Sequence, residues 1–159
     1  MAEGVSGRQL RDVLDPGGTL YLIDPYDRSR LPVSMAEIAA RRSVRRSRRG
    51  VVVWLRKTSH EASAGWREPI DFLFIDGDHS WEAVRQDWED WTGHVRIGGR
   101  VALHDAVVAP GLWTKPDDGP VRLVREVLEN RPGWEMVETA DSTAVLKKVT
   151  QDAASTARA

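Results

Sequence analysis

Short apolar runs alternate along the chain with amphipathic stretches. Thr19 to Ile23, Val51 to Leu55, Asp71 to Ile75 and Arg100 to Leu103 are each too short for a stable helix. They are rich in β-branched and aromatic residues and are bounded by Gly, Pro, Asp or Arg, which predicts buried strands. The stretches between them have helical spacing. Gly7 to Leu14 places Leu10, Val13 and Leu14 on one side of a short helix that Pro16-Gly17-Gly18 stops. Ser34-Met-Ala-Glu37 has the capping-box pattern and opens a helix expected to end near Gly50. Ser80 caps a helix whose inner face is Trp81, Val84, Trp88 and Trp91, with Gly98-Gly99 as its breaker. Residues 106–119 form a loop rich in Pro, Gly and Asp. Pro120 then suits the first residue of a helix carrying Val121, Val124, Val127 and Leu128. Pro132-Gly133 ends that helix. Trp134 to Val137 and Thr143 to Val149 read as closing strands, with Asp141-Ser142 between them.

Strands alternating with helices predict an α/β fold around a mostly parallel sheet, with the last two strands as an antiparallel hairpin at its edge. No linker or repeat interrupts residues 1–150, so they read as a single domain. Residues 151–159, small and polar, read as a disordered tail. Lysine and arginine nearly balance aspartate and glutamate, for a net charge of −1, which gives no general pull toward nucleic acid or an anionic membrane. Cysteine is absent, which removes disulfides, thiolate chemistry and Cys-ligated zinc. No stretch is apolar enough to span a membrane, and the N-terminus lacks the charged and apolar regions of a signal peptide. A cytoplasmic protein without nucleic-acid or membrane partners is the expectation. Seven tryptophans supply much of a core or a pocket wall.

Chemistry concentrates at two strand ends. Asp71-Phe-Leu-Phe-Ile-Asp76-Gly-Asp78-His79 and Arg100-Val-Ala-Leu-His104-Asp105 are apolar runs that close abruptly in acids and histidine. Ligands of open parallel sheets sit beyond the carboxyl ends of the strands. Asp76, Asp78, His79, His104 and Asp105 together offer enough oxygen and imidazole to hold a hard cation and leave a base. Asp76-Gly-Asp78 is also an Asp-x-Asp pattern, which fits a metal-dependent glycosyltransferase-like enzyme. His60 and His94 have no such context and read as surface residues. Arg41, Arg42, Arg45, Arg46, Arg48 and Arg49 make a local basic patch. They fall in the last turns of a predicted helix, where cations complement the helix dipole, and read as a solvated helix end.

Three segments taken together resemble the class I S-adenosylmethionine-dependent methyltransferases: Leu20-Tyr-Leu-Ile-Asp24-Pro-Tyr26, Ile70 to Val84 around Ile75-Asp76-Gly-Asp-His79, and Gly98-Gly-Arg-Val-Ala-Leu-His104-Asp105. The closer resemblance is to the bacterial metal-dependent O-methyltransferases of sugars and small molecules, from about residue 4 to residue 149. It implies a Rossmann-like methyltransferase sheet, S-adenosylmethionine, Mg2+ and a hydroxylated small-molecule acceptor. By that resemblance Asp24 accepts the ribose hydroxyls, a task suited to the two oxygens of a carboxylate. Thr58 and Ser59 fall where such folds contact the adenine, and equally read as plain loop residues. Asp76, His104 and Asp105 match the metal positions, with imidazole the softer ligand. His79 matches the general base, and Asp76 also borders the cofactor. Trp113 lies in the loop that shapes the acceptor pocket. Glu3, Gly4 and Gly7 match the compressed tail of the family's acidic Gly-rich loop. The strand before that loop, central in the family's sheet between the strands ending at Asp24 and Asp76, is missing. An upstream start, a truncated non-catalytic remnant or interaction module, and a partner or second copy that fills the gap are three ways to account for this. The last includes a homo-oligomer.

Overall fold

The computed structural model describes residues 4–26 and 34–150. The chain packs as two compact units, residues 1–62 and 63–159. The described strands form two sheets, one in each unit.

The first unit opens with α1 (Val5–Val13) and β1 (Thr19–Ile23), continues with α2 (Met35–Val44) and β2 (Val51–Leu55), and closes in the short α3 (Ser59–Ser63) at the unit boundary. β1 and β2 pair in parallel, with Thr19 opposite Val51 and Ile23 opposite Leu55. Leu22, Ala40 and Val44 are its most buried apolar side chains. Ser34 caps α2 as expected, its hydroxyl accepting from the Glu37 N–H at 3.5 Å. α2 ends at Val44, earlier than the expected end near Gly50. Gly50 instead turns the chain into β2 at φ +58. Arg41 and Arg42 are therefore in the last turn of α2, whereas Arg48 and Arg49 lie beyond it. Arg49 is part of a backbone tie: it donates to Asp12 O at 3.2 Å, and its own carbonyl accepts from Arg11 Nε at 2.9 Å.

The second unit holds β3 (Ile70–Ile75), α4 (Trp81–Trp91), β4 (Val95–Leu103), α5 (Gly119–Asn130), β5 (Trp134–Ala140) and β6 (Thr143–Lys148). Its strand order is β3-β4-β6-β5. β3 and β4 are parallel, and β4–β6 and β6–β5 are antiparallel, so the expected C-terminal hairpin is present. The tryptophan stripe of α4 packs as its spacing predicts. Val84, Trp88 and Trp91 are buried, and Trp88 meets Trp134 edge-on at 4.8 Å between ring centroids. On α5 the inner face is Leu123, Val124 and Val127, whereas Leu128 is exposed. Gly98-Gly99 does not end α4. A short 3-10 turn, Thr92–His94, follows that helix, and the two glycines lie inside β4. There the register with β3 shifts between Ile70 and Phe72. Gly98 takes φ +83. A Cβ on Gly99 would stand 2.8 Å from Val95 Cγ1 and 3.1 Å from Ile70 O. The pair is therefore a strand irregularity that needs glycine. Among the described residues, no helix is long and apolar enough to cross a membrane.

Candidate active site

Parallel pairing puts Ile75 opposite Leu103, so the residues that follow β3 and β4 leave the sheet side by side. The His104 N–H donates to Ile75 O at 3.0 Å and extends that pairing by one residue. Asp76 and His104 are consequently neighbours, and the loop leading to α4 brings His79 back to them. One ligand atom from each of Asp76, His79 and His104 can be chosen so that all lie within 4.8 Å of one another.

Asp105 lies behind this trio. It is buried and takes φ +53, a left-handed conformation that aspartate tolerates better than most residues. Its Oδ2 is 2.9 Å from His104 Nδ1 and 3.6 Å from His79 Nε2. Its Oδ1 accepts from the Ser142 hydroxyl at 2.7 Å. His104 Nδ1 also lies 3.5 Å from Asp76 Oδ1. That nitrogen is buried, and neither carboxylate meets it with hydrogen-bond geometry. An orphaned imidazole nitrogen between two carboxylates is the environment a divalent cation resolves, because it supplies positive charge to all three groups at once. The residues present therefore fit a metal, with mixed oxygen and nitrogen donors.

Asp78 does not join this group. Its Oδ1 accepts from the Ser80 N–H at 2.7 Å, and that hydrogen bond holds its carboxyl below the usual range. It closes the turn into α4, where Ser80 accepts from Ala83 N–H at 3.4 Å. The Asp-x-Asp pattern thus divides into one residue of the site and one turn cap. Trp113 stacks on the His79 ring, with centroids 6.1 Å apart and planes 18° from parallel, and is 65% exposed. The Lys115 N–H, donating to Asp118 Oδ2 at 2.7 Å, braces the loop that carries it.

The other sequence candidates belong to the first unit. Asp24 follows β1, and its Oδ1 accepts from the Tyr26 N–H at 2.8 Å. Thr58 is engaged in a capping box. Its N–H and hydroxyl both donate to Glu61 Oε2 at 2.9 Å, while Glu61 N–H donates back to Thr58 Oγ1 at 3.2 Å. Ser59 begins α3. Gly4, at φ +72, caps α1, and a Cβ there would stand 2.6 Å from Ala40 Cα. Gly7 lies inside α1, where a Cβ would meet Leu22 Cδ2 at 3.2 Å. These two glycines serve helix packing here. Glu3 lies outside the described residues.

Two residues of the site escaped the sequence reading. Ser142 is one. Leu103 pairs with Ala144, and continuing that antiparallel register by two residues brings Ser142 opposite Asp105. The signal was present in the hairpin, given the right strand partner. Gly119 is the other. A Cβ there would lie 2.4 Å from His79 O and 2.8 Å from Ser80 C. The start of α5 is thus seated directly on the His79–Ser80 backbone.

A family profile described as a methyltransferase domain matches residues 1–106. Several solved structures are similar in fold. A Corynebacterium glutamicum protein is 18% identical with a TM-score of 0.61, over 83% of this chain and 61% of its own. The O-methyltransferase TomG of Streptomyces achromogenes, involved in tomaymycin synthesis and solved with S-adenosylmethionine, is 19% identical with a TM-score of 0.64, over 93% of this chain and 70% of its own. MycE of the mycinamycin biosynthetic pathway, solved with Mg and S-adenosylhomocysteine, is 14% identical with a TM-score of 0.53, over 93% of this chain and 48% of its own. The chain therefore spans less than two thirds of the Corynebacterium protein's length and about half of MycE's.

Proposed function

We propose, for a chain that belongs to the methyltransferase domain family, that it transfers the methyl group of S-adenosylmethionine to a hydroxyl of a small molecule, a sugar among the candidates, with the help of a divalent cation. The observation that carries this reading is the convergence of Asp76, His79 and His104 beyond β3 and β4. The complexes of TomG with S-adenosylmethionine and of MycE with Mg and S-adenosylhomocysteine support the choice of donor and of Mg2+.

In this reading Asp76 and His104 hold the cation, Asp105 backs them, and Asp24 takes the ribose hydroxyls of the donor. The cation supplies Lewis acidity that eases ionisation of the acceptor hydroxyl and fixes its orientation. His79 accepts the hydroxyl proton as the oxygen–methyl bond forms and the sulfur–methyl bond breaks, leaving neutral S-adenosylhomocysteine and a protonated imidazole. Asp105 Oδ2, at 3.6 Å from His79 Nε2, faces that imidazole and pairs with the charge it acquires. Trp113, stacked on the same ring, shields one side of it and offers an apolar wall to the acceptor.

Calorimetric titration with S-adenosylhomocysteine, with and without Mg2+, tests donor binding. Saturable binding is expected, and a folded sample that binds nothing rejects the reading. His79→Ala is expected to lower methyl transfer by about 100-fold or more while leaving S-adenosylhomocysteine affinity intact. Full activity in that variant removes His79 as the base.

A further inference from the structure

Asp105 is the most deeply buried carboxylate of the site, at 2% exposure, and a buried carboxylate is stable only when its oxygens are matched. Its two oxygens face different ways. Oδ2 is directed at His104 and His79, whereas Oδ1 receives the Ser142 hydroxyl at 2.7 Å. Ser142 also holds the backbone after β4, because its carbonyl accepts from Ala106 N–H at 2.7 Å and from Val107 N–H at 3.1 Å. A single turn residue of the β5–β6 hairpin thus grips both the side chain of Asp105 and the main chain just beyond it. Ser142 is itself buried. Its side-chain bond spans 37 positions of sequence, so it depends on the closed hairpin.

We propose that Ser142 is a positioning residue of this site. Its hydroxyl fixes the rotation of the Asp105 carboxylate so that the second oxygen addresses both imidazoles. The proposal rests on the metal-assisted reading above for its functional meaning, although the orientation itself is a property of the protein alone. Without the hydroxyl, Oδ1 loses its donor and the carboxylate is free to turn toward another one. His104 and His79 then lose a fixed partner. In that reading Asp105 stands one step behind the ligand His104, a position that typically contributes about 10–100-fold to metal affinity, and Ser142 acts through it.

The test compares wild type, Ser142→Ala and Ser142→Thr. Alanine keeps the backbone carbonyl that holds Ala106 and Val107, and threonine keeps the hydroxyl. Imidazole-ring NMR of the metal-free proteins at one fixed pH reads orientation directly, with His60 and His94 as internal controls. The alanine variant is expected to shift or broaden the His79 and His104 ring signals alone, and the threonine variant to restore them. Ring signals that stay unmoved in the alanine variant overturn the proposal. So does a uniform change across all four histidines, which marks a general loss of packing. Mn2+ titration followed by electron paramagnetic resonance gives the second readout. Ser142→Ala is expected to weaken binding measurably, by up to about 10-fold, because it acts through Asp105. Equal Mn2+ affinity in wild type and Ser142→Ala, with a lower melting temperature only in the variant, assigns Ser142 a purely structural role and overturns the proposal. If wild type itself binds no Mn2+, the metal-assisted reading fails, and the ring signals still decide the role of Ser142.

Discussion

Asp105 combines two demands that usually conflict, a strained backbone and a buried charge. At φ +53 an ordinary L-residue carries a penalty of about 1–2 kcal/mol, and Asp or Asn carries less. Asp105→Asn keeps the local conformation and an oxygen to accept from Ser142. Asp105→Ala keeps neither, and adds about 1–3 kcal/mol for a buried Ser142 hydroxyl left without its acceptor. Urea denaturation is expected to rank the alanine variant well below the asparagine variant, by about 2–4 kcal/mol. Methyl transfer is expected to fall in both, because neither retains the charge that faces the two histidines. Equal stability of the two variants would show that the backbone conformation carries no cost. At this scale the sequence was informative about Asp76, His79, His104 and Asp105, since polar residues that interrupt an apolar strand stand where the sheet ends. It was silent on Ser142, whose role depends on which strand β6 pairs with. Thr58 carries a further signal: a Thr-x-x-Glu pattern before α3 marks a helix start, and the structure forms that capping box.

Elements were legible where a periodic face was long and apolar. The Trp88 and Trp91 stripe of α4 and the strand runs of β1, β2 and β3 belong to this class. Glycine was the harder residue to interpret, because it either ends an element or permits a close approach. Gly98-Gly99 was expected to do the first and does the second inside β4. Gly119 also does the second. As the first residue of α5, it rests on the carbonyls of His79 and Ser80, where an added methyl would lie 2.4 Å and 2.9 Å from those oxygens. Backbone atoms cannot swing aside as a flexible side chain can, so either α5 or the His79 loop must move. Gly119→Ala is expected to cost about 1–3 kcal/mol, as overpacking generally does. It is also expected to lower turnover by displacing His79, with donor affinity less affected. Thermal denaturation and initial-rate measurements check both parts. A variant with the wild-type melting temperature and rate would mean that the approach of α5 to this loop is looser than the geometry describes.

Across the whole molecule, stability is expected to be limited at the two ends of the pH range by different units. In the second unit, burial is the main cause that lowers the His94 pKa below its ordinary 6.5, with Arg67 and Lys148 adding to it. The folded state therefore favours the neutral ring. Below pH 6.5 the unfolded chain binds a proton that the folded state resists, so stability is fully present above 6.5 and falls as pH drops through the folded-state value. In the first unit, burial raises the Tyr26 phenol from 10.0 to about 12, assisted by the carboxylates of Asp24 and Glu37. The unfolded chain loses that proton first, so this contribution is complete below pH 10.0 and is lost as pH rises to about 12. Neither effect was visible in the sequence. His94 read as a surface residue, and the burial of Tyr26 depends on packing that local periodicity does not record. Urea midpoints measured across pH for wild type, His94→Asn and Tyr26→Phe separate the two limbs. The asparagine variant is expected to flatten only the fall below 6.5, and the phenylalanine variant only the fall between 10.0 and about 12. If either variant flattened the opposite limb, or if both left the profile unchanged, other groups would govern that end of the range.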